Sequence, residues 1–237
     1  VFEAQSVLGG LYAFGIAAYK MTTDFALSEV EYIRQIGIDI RTNTPVGKDL
    51  PVTQLLADYD AVFLGVGLGK TVDLGIAGEN LEGCLEALDF IMPTRLKKYE
   101  ECVIGENVLV IGAVKFLWHT VPRRGVGTNG KVSGLECYRV QITGTQLEPI
   151  AGTEHVIPCD MVVKALGQDG LYELYRSIPN LNVNGKRVVV NTDTGETSVP
   201  GLFAGGDCVN GGGEVVDAVE HGKIAARGNG SILHTES

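Results

Sequence analysis

The apolar positions of this chain fall in short blocks separated by glycine, and the spacing within each block predicts its element. Val1 to Ala4 (VFEA) reads as a short strand with an acid near its end, and residues 9–21 (GGLYAFGIAAYKM) read as a glycine-rich loop. Residues 22–37 (TTDFALSEVEYIRQIG) predict a helix. Thr23 or Asp24 suits its cap, Phe25, Val30, Ile33 and Ile36 give partial helical periodicity, and Gly37 suits its stop. IDIRTNTPV (38–46) alternates as a strand, TQLLADY (53–59) is a short helix, and DAVFLGVG (60–67) is a buried strand ending in glycines. This alternation of helix and strand predicts a doubly wound α/β arrangement.

The texture changes near residue 75. GIAGENLEGCLEALDF (75–90) reads as a connector between domains, and ALDFIMPTRLKKYEE (87–101) as a helix broken at Pro93. NVLVIGA (107–113) is a fully buried type of strand. VKFLWHTV (114–121), KVSGLECYRVQI (131–142) and HVIPCDMVVKALG (155–167) read as further strands. The last part is an apolar run, PGLFAGGD, then more glycine, then an amphipathic helix starting near Gly213–Glu214.

One junction conflicts with strand geometry. NVLVIGAVKFLWHTV as a single strand would run about 15 residues, where strands usually have 5–6. As two parallel strands it needs a crossover of about a dozen residues. As a hairpin, Gly112-Ala113 is a poor two-residue turn, although glycine can open a type II′ turn. The expectation is therefore a break between Ala113 and Val114, which a trans-peptide Cα separation of about 3.8 Å there would contradict.

Composition narrows the classes. The 237 residues suffice for one large domain or two modest ones. A net charge of −10 argues against nucleic acid or an anionic membrane as main partner, and no apolar run approaches the roughly 18 residues that span a bilayer. The chain opens on Val1 rather than Met, so the expectation is that residues precede it. The five cysteines (Cys84, Cys102, Cys137, Cys159, Cys208) form no CxxC pair and suit neither a zinc site nor a disulfide framework; reduced thiols in the cytoplasm are the expected state.

LGVGLGKT (64–71) imitates a phosphate-binding P-loop, but Leu64 stands where the motif needs its first glycine, and the following VDLGIAGEN has no helical periodicity. A nucleotide-hydrolysing reading rests on that stretch alone. A tight glycine crossing beside a cofactor suits it better.

Three separated pieces point to one dinucleotide. Glu3 is an acid at a strand end, the position that accepts ribose hydroxyls in a Rossmann unit, and is weak evidence alone. Gly9-Gly10-Leu11 allows close backbone approach, or is simply a turn. PGLFAGGD delivers Asp207 to the sheet's carboxyl edge, and the helix that follows offers amide N–H groups to an electron-rich ligand.

Together VFEA…GGL, FGIAAYKM, DYDAVFLGVG, VVKALGQ and TSVPGLFAGGDCVNGGGEVVDAVEHGKIAA (197–226) resemble a flavoprotein family. It is the group of FAD-dependent pyridine-nucleotide oxidoreductases that includes the small (β) subunit of glutamate synthase and the NAD-dependent subunit of bacterial dihydropyrimidine dehydrogenase. The resemblance implies a Rossmann-like, three-layer α/β fold with two dinucleotide-binding domains. Residues 1–80 and 165–237 would form the FAD domain and residues 81–164 the NAD(P) domain. It implies that Glu3 meets the adenosine ribose and that Gly9, Gly10 and Leu11 pass beneath the flavin side. Gly65 and Gly67 would cross close to FAD, Gly206 and Asp207 would meet its ribityl or pyrophosphate portion, and Glu214 and Val215 would bring amides to the flavin's pyrimidine edge. Gly112 and Gly167 would stand at the glycine turns of the strands VLVIG and VVKALG.

The departures are specific. The pyrophosphate-cradling GxGxxG turn of the family would lie before Val1, as would its cysteine-rich iron–sulfur segment. Much of the NAD(P) domain, with the residues that choose NADPH over NADH, would fall at the 113–114 junction. Without a redox dithiol, electrons would pass from NADH or NADPH through FAD to a partner redox subunit, whose iron–sulfur cluster receives them. The flavin carries the chemistry, so no catalytic side chain is expected. The four histidines, His119, His155, His221 and His234, read as structural or exposed, and no metal site is expected. The alternative is an incomplete, cofactor-free fragment of the same fold with no activity of its own.

Overall fold

The computed structural model describes residues 1–112, 117 and 119–233, with side chains described to residue 230 outside these gaps. The expected break between Ala113 and Val114 lies outside the described residues. The chain divides into two compact units, Val1–Lys70 with Gln168–Ser237, and Thr71–Gly167.

In the first unit the strands Val62–Leu64 and Leu202–Ala204 pair in parallel, Phe63 opposite Phe203. Their inward side chains build a core of Val52, Leu64, Tyr175, Ile178, Val188, Leu202, Ala204 and Cys208. The helix Val52–Asp58 supplies Val52, and its Leu55 is also buried. VFEA is less regular than its pattern predicts. It makes one parallel bridge, Phe2 to Arg41, fixed by the Glu3 N–H donating to the Arg41 carbonyl at 2.9 Å.

Two helical expectations need correction. The stretch read as a glycine-rich loop contains a short helix, Gly10–Phe14, entered through Gly9 at φ 97°. The helix Thr23–Arg34 is capped by Thr22, whose hydroxyl accepts the Phe25 N–H at 3.3 Å, and not by Thr23 or Asp24. Thr23 instead donates its hydroxyl to the Ala13 carbonyl at 3.0 Å. Small residues make that contact: Ala13 and Ala26 are fully buried, while Phe25, Ile33 and Ile36 stay exposed. The helix buries the face that fits its small neighbour, not its most apolar one.

The second unit holds a parallel sheet in the order Cys84–Glu86, Met161–Ala165, Val108–Gly112. Beside it in sequence run the antiparallel strands Thr120–Thr128, Lys131–Thr143, Gln146–Pro149 and His155–Pro158. The segment read as a connector therefore contains a strand, Cys84–Glu86. The following helix, Ala87–Arg95, continues through Pro93 and stops two residues later. Val108–Gly112 is half-buried rather than fully buried, because Leu109 and Ile111 join the core while Val108 and Val110 are exposed. No helix begins between Lys70 and the strand at Cys84, so the P-loop look-alike lacks the helix that would meet a phosphate.

Asp160 ties this sheet's entry together. Its carboxylate accepts the Asn107 N–H at 2.8 Å and the Glu106 N–H at 3.0 Å. The Asn107 bond first, and the Glu106 bond after it, hold the carboxyl below its ordinary 3.8. The folded-state value is depressed, so the stabilisation is present above the ordinary value and lost as pH falls through the folded one. Asp160→Ala is expected to lower the thermal midpoint most at neutral pH. Its deficit against the unmodified chain should shrink on going to about pH 3; thermal unfolding across that range checks it.

Candidate functional site

The site grows from the parallel strand pair of the first unit. After Leu64 the chain passes Gly65 and reaches Gly67 at φ 66°, where an added Cβ would meet nothing within 4 Å. After Ala204 it passes Gly205, whose N–H donates to the Leu64 carbonyl at 3.2 Å. A Cβ at Gly205 would stand 2.6 Å from the Cβ of His221 and 2.9 Å from the Phe63 ring. Glycine there lets the C-terminal helix close on the strand. Gly206 takes φ 73° and ψ −152°, a region essentially confined to glycine.

Asp207 opens a single helical turn, Asp207–Asn210. Its Oδ1 accepts the Gly213 N–H at 3.0 Å, which folds the glycine run Gly211–Gly213 back over the turn. Cys208 is fully buried beneath, its thiol donating to the Gly205 carbonyl at 3.2 Å and the Leu64 carbonyl at 3.5 Å. Burial pushes that thiol up, which makes it a packing group and not a redox nucleophile. The Glu214 N–H donates to Asp217 Oδ2 at 3.0 Å, starting the 19-residue helix Val215–Leu233. The Asp217 N–H turns back to the Glu214 carbonyl at 3.1 Å, and the end as a whole carries the partial positive charge of a helix N-terminus.

The structure thus gathers Gly65, Gly67, Gly206, Asp207, Glu214 and Val215 around one strand edge. Glu3, Gly9, Gly10 and Leu11 lie on a separate stretch. Glu3 Oε1 accepts the Gln5 N–H at 2.7 Å. Gly9 leans on Ala13, Gly10 at φ 53° borders open space, and Leu11 lies in the short helix with its carbonyl accepting the Gly15 N–H at 2.7 Å. Gly112 and Gly167 belong to the other unit. A Cβ at Gly112 would stand 2.5 Å from the Ala165 carbonyl oxygen, so the close approach of these strands requires glycine there. The Gly167 carbonyl accepts the Val72 N–H at 2.9 Å.

Two features here escape a sequence reading. Cys208 carries no motif, yet its thiol stitches both strand ends. His221 Nδ1 lies 3.0 Å from the Gly206 nitrogen, and no local pattern announces a bond across 15 residues. At Gly10 and Gly67 the left-handed backbone favours glycine while nothing stands within 4 Å of an added Cβ, so bare backbone borders open space. That property, an acceptor at Asp207 and a helix N-terminus suit a ligand with hydroxyls and an anionic or electron-rich part, as FAD has. Among the described residues no group of three His, Cys, Asp or Glu side chains could hold a metal ion, and no helix is long and apolar enough to cross a membrane.

Comparison with known proteins fits this geometry. The model of the pyridine nucleotide-disulphide oxidoreductase family matches residues 114–222. The chain is 31% identical to the β subunit of the NADP(+)-dependent formate dehydrogenase of Moorella thermoacetica, over 95% of this chain and 39% of that protein. It is 28% identical to the glutamate synthase [NADPH] small chain of Escherichia coli K12, over 96% of this chain and 62% of that protein. The chain therefore spans less than two thirds of the length of either. The first alignment runs over 287 positions, more than this chain's 237 residues, so that relative carries residues within the aligned span that have no counterpart here. Among solved structures, Mycobacterium tuberculosis FprA in complex with NADPH superposes with a TM-score of 0.67 at 14% identity, over 98% of this chain and 76% of that one. Thioredoxin reductase of T. acidophilum gives 0.67 at 15%, over 98% and 89%. The family resemblance read from the sequence is borne out, and the fold is the Rossmann-like α/β fold of FAD- and NAD(P)-dependent flavoproteins.

Proposed function

We propose that the protein is an oxidoreductase subunit that takes electrons from NADH or NADPH through FAD and passes them to a partner redox subunit in the cytoplasm. The observation that carries the reading is the strand edge where Gly206, Asp207 and the start of the Val215–Leu233 helix converge. FAD, when bound, accepts a hydride from a reduced nicotinamide and can release the electrons singly to an iron–sulfur acceptor.

The chain's own residues then have defined tasks. Glu3 would accept hydrogen bonds from the adenosine ribose hydroxyls through Oε2 while Oε1 keeps the Gln5 N–H. Gly9, Gly10 and Leu11, with Gly65 and Gly67, would let backbone approach the cofactor. Asp207 would accept ribityl hydroxyls while Oδ1 keeps the Gly213 N–H in place. The amide of Val215 would favour negative charge on the ring edge, the general advantage of a helix N-terminus, and that of Glu214 would join it on leaving Asp217 Oδ2, to which it now donates. Residues 81–164, including Gly112, would serve the nicotinamide nucleotide, and Gly167 would stand where the chain returns to the FAD-binding part.

Transfer to a partner is supported by two features. The matched relatives are named as subunits, and the chain has no CxxC dithiol to receive electrons itself. Asp207→Ala is expected to weaken FAD retention by roughly tenfold or more, the scale of a lost hydrogen bond to a charged group. Flavin content per protein after desalting checks it, and unchanged content would remove Asp207 from the site.

A further inference from the structure

We propose that His221 is the positioning residue of the flavin site, acting as the fixed hydrogen-bond acceptor that holds the Gly205–Gly206 peptide and thereby aims Asp207. The inference rests on the FAD reading above and adds a residue to it. Gly206 is buried, and its N–H points to His221 Nδ1 at 3.0 Å. Its carbonyl accepts the N–H groups of Val209 and Asn210 at 2.9 and 3.1 Å. The residue before Asp207 is thus held at both ends, by the helix behind it and by the turn in front.

The chemistry of that bond is restrictive. A backbone N–H can donate only to an unprotonated ring nitrogen, so the ring carries its hydrogen on Nε2. The backbone at Gly206 sits in a region essentially confined to glycine, whose many accessible conformations leave it to its hydrogen-bond partners to fix this one. Gly205 completes the device. A Cβ there would collide with the Cβ of His221 and the Phe63 ring, so glycine lets the His221 backbone come this close to the strand end. Gly205 therefore admits the histidine, the histidine fixes Gly206, and Gly206 orients Asp207. Removing the acceptor leaves a buried N–H unpaired and the turn free to rotate, while Asp207 itself is untouched.

The test uses the unmodified full-length protein with two variants. His221→Leu keeps bulk but removes the acceptor; His221→Asn places an amide oxygen the same two bonds from Cβ as Nδ1. Expected FAD dissociation constants are roughly tenfold weaker for His221→Leu and within about threefold of the unmodified protein for His221→Asn. Nitrogen-15 correlation spectra of the histidine rings in the unmodified protein should show the His221 hydrogen on Nε2 and a lone pair on Nδ1. Equal FAD affinity in both variants, or a hydrogen on Nδ1, overturns the role of His221 and leaves the FAD reading intact. Failure of the unmodified protein to take up FAD overturns the underlying reading, whatever the tautomer. Should His221→Leu not fold, the ring spectrum and the His221→Asn variant still decide.

Discussion

Lys164→Met is expected to destabilise the Thr71–Gly167 unit by about 3 kcal/mol, the scale for removing one partner of a buried ion pair. Lys164 sits on the central strand Met161–Ala165, between Glu86 and Ile111 in register, and is only 5% exposed. Its Nζ lies 3.8 Å from Asp73 Oδ1 and 3.9 Å from Glu79 Oε2. Glu79 is itself largely buried and accepts the Leu74 N–H at 2.8 Å, so it cannot leave with its partner. Asp89 adds a sign that can be read out. Its carboxyl is raised, first by burial and then by Glu86, while Lys164 opposes the rise. Removing the lysine lets that value climb further above its unfolded one. Folding then takes up protons, so the deficit of Lys164→Met should shrink as pH falls from neutral into the carboxylate range. Urea unfolding at two pH values checks this, and adding Glu79→Gln should recover part of the loss. A deficit below about 1 kcal/mol, or one that grows on acidification, contradicts the buried pair.

Leu202→Ala is expected to cost the other unit about 3 to 4 kcal/mol. Leu202 is fully buried, pairs with Val62, and packs among Val52, Leu64, Tyr175, Ile178, Val188 and Cys208. Truncation removes three carbons' worth of contacts where strand and helix backbones leave little room to collapse, so a cavity term adds to the transfer term. Leu202 also begins the strand that delivers Gly205 to Asp207. The variant should therefore lose both stability and flavin retention, whereas Asp207→Ala should lose flavin with little change in stability. Unfolding followed by circular dichroism beside flavin content separates the two. A loss below about 1 kcal/mol would mean that this core is not packed as described.

The part of the site legible in the sequence is the part whose geometry is local. An apolar run, two glycines, an acid, more glycine and an amphipathic helix can fold almost only one way, and Gly206, Asp207 and Val215 stand as that pattern requires. What escaped depends on contacts distant along the chain. The bond between His221 and Gly206 joins helix to loop, and periodicity only says which face of a helix is apolar. The helix Thr23–Arg34 makes the same point from the other side. Its pattern nominates Phe25, Ile33 and Ile36 for burial, but the short helix Gly10–Phe14 accepts only the small face with Ala26. Val108–Gly112 shows that a run of apolar residues does not reveal whether both faces of a strand are covered. Pro93 shows that a proline near a helix end need not break it, since the helix needs only two more residues there.

The central claim is that the Gly206–Asp207 edge holds a flavin reducible by a nicotinamide nucleotide. The most direct measurement is the visible spectrum of the full-length protein, purified with FAD supplied and then titrated anaerobically with NADH and with NADPH. The account predicts a yellow protein with bound flavin that bleaches with one of the two nucleotides. A colourless protein that stays colourless in excess FAD would contradict it and leave a cofactor-free chain of the same fold.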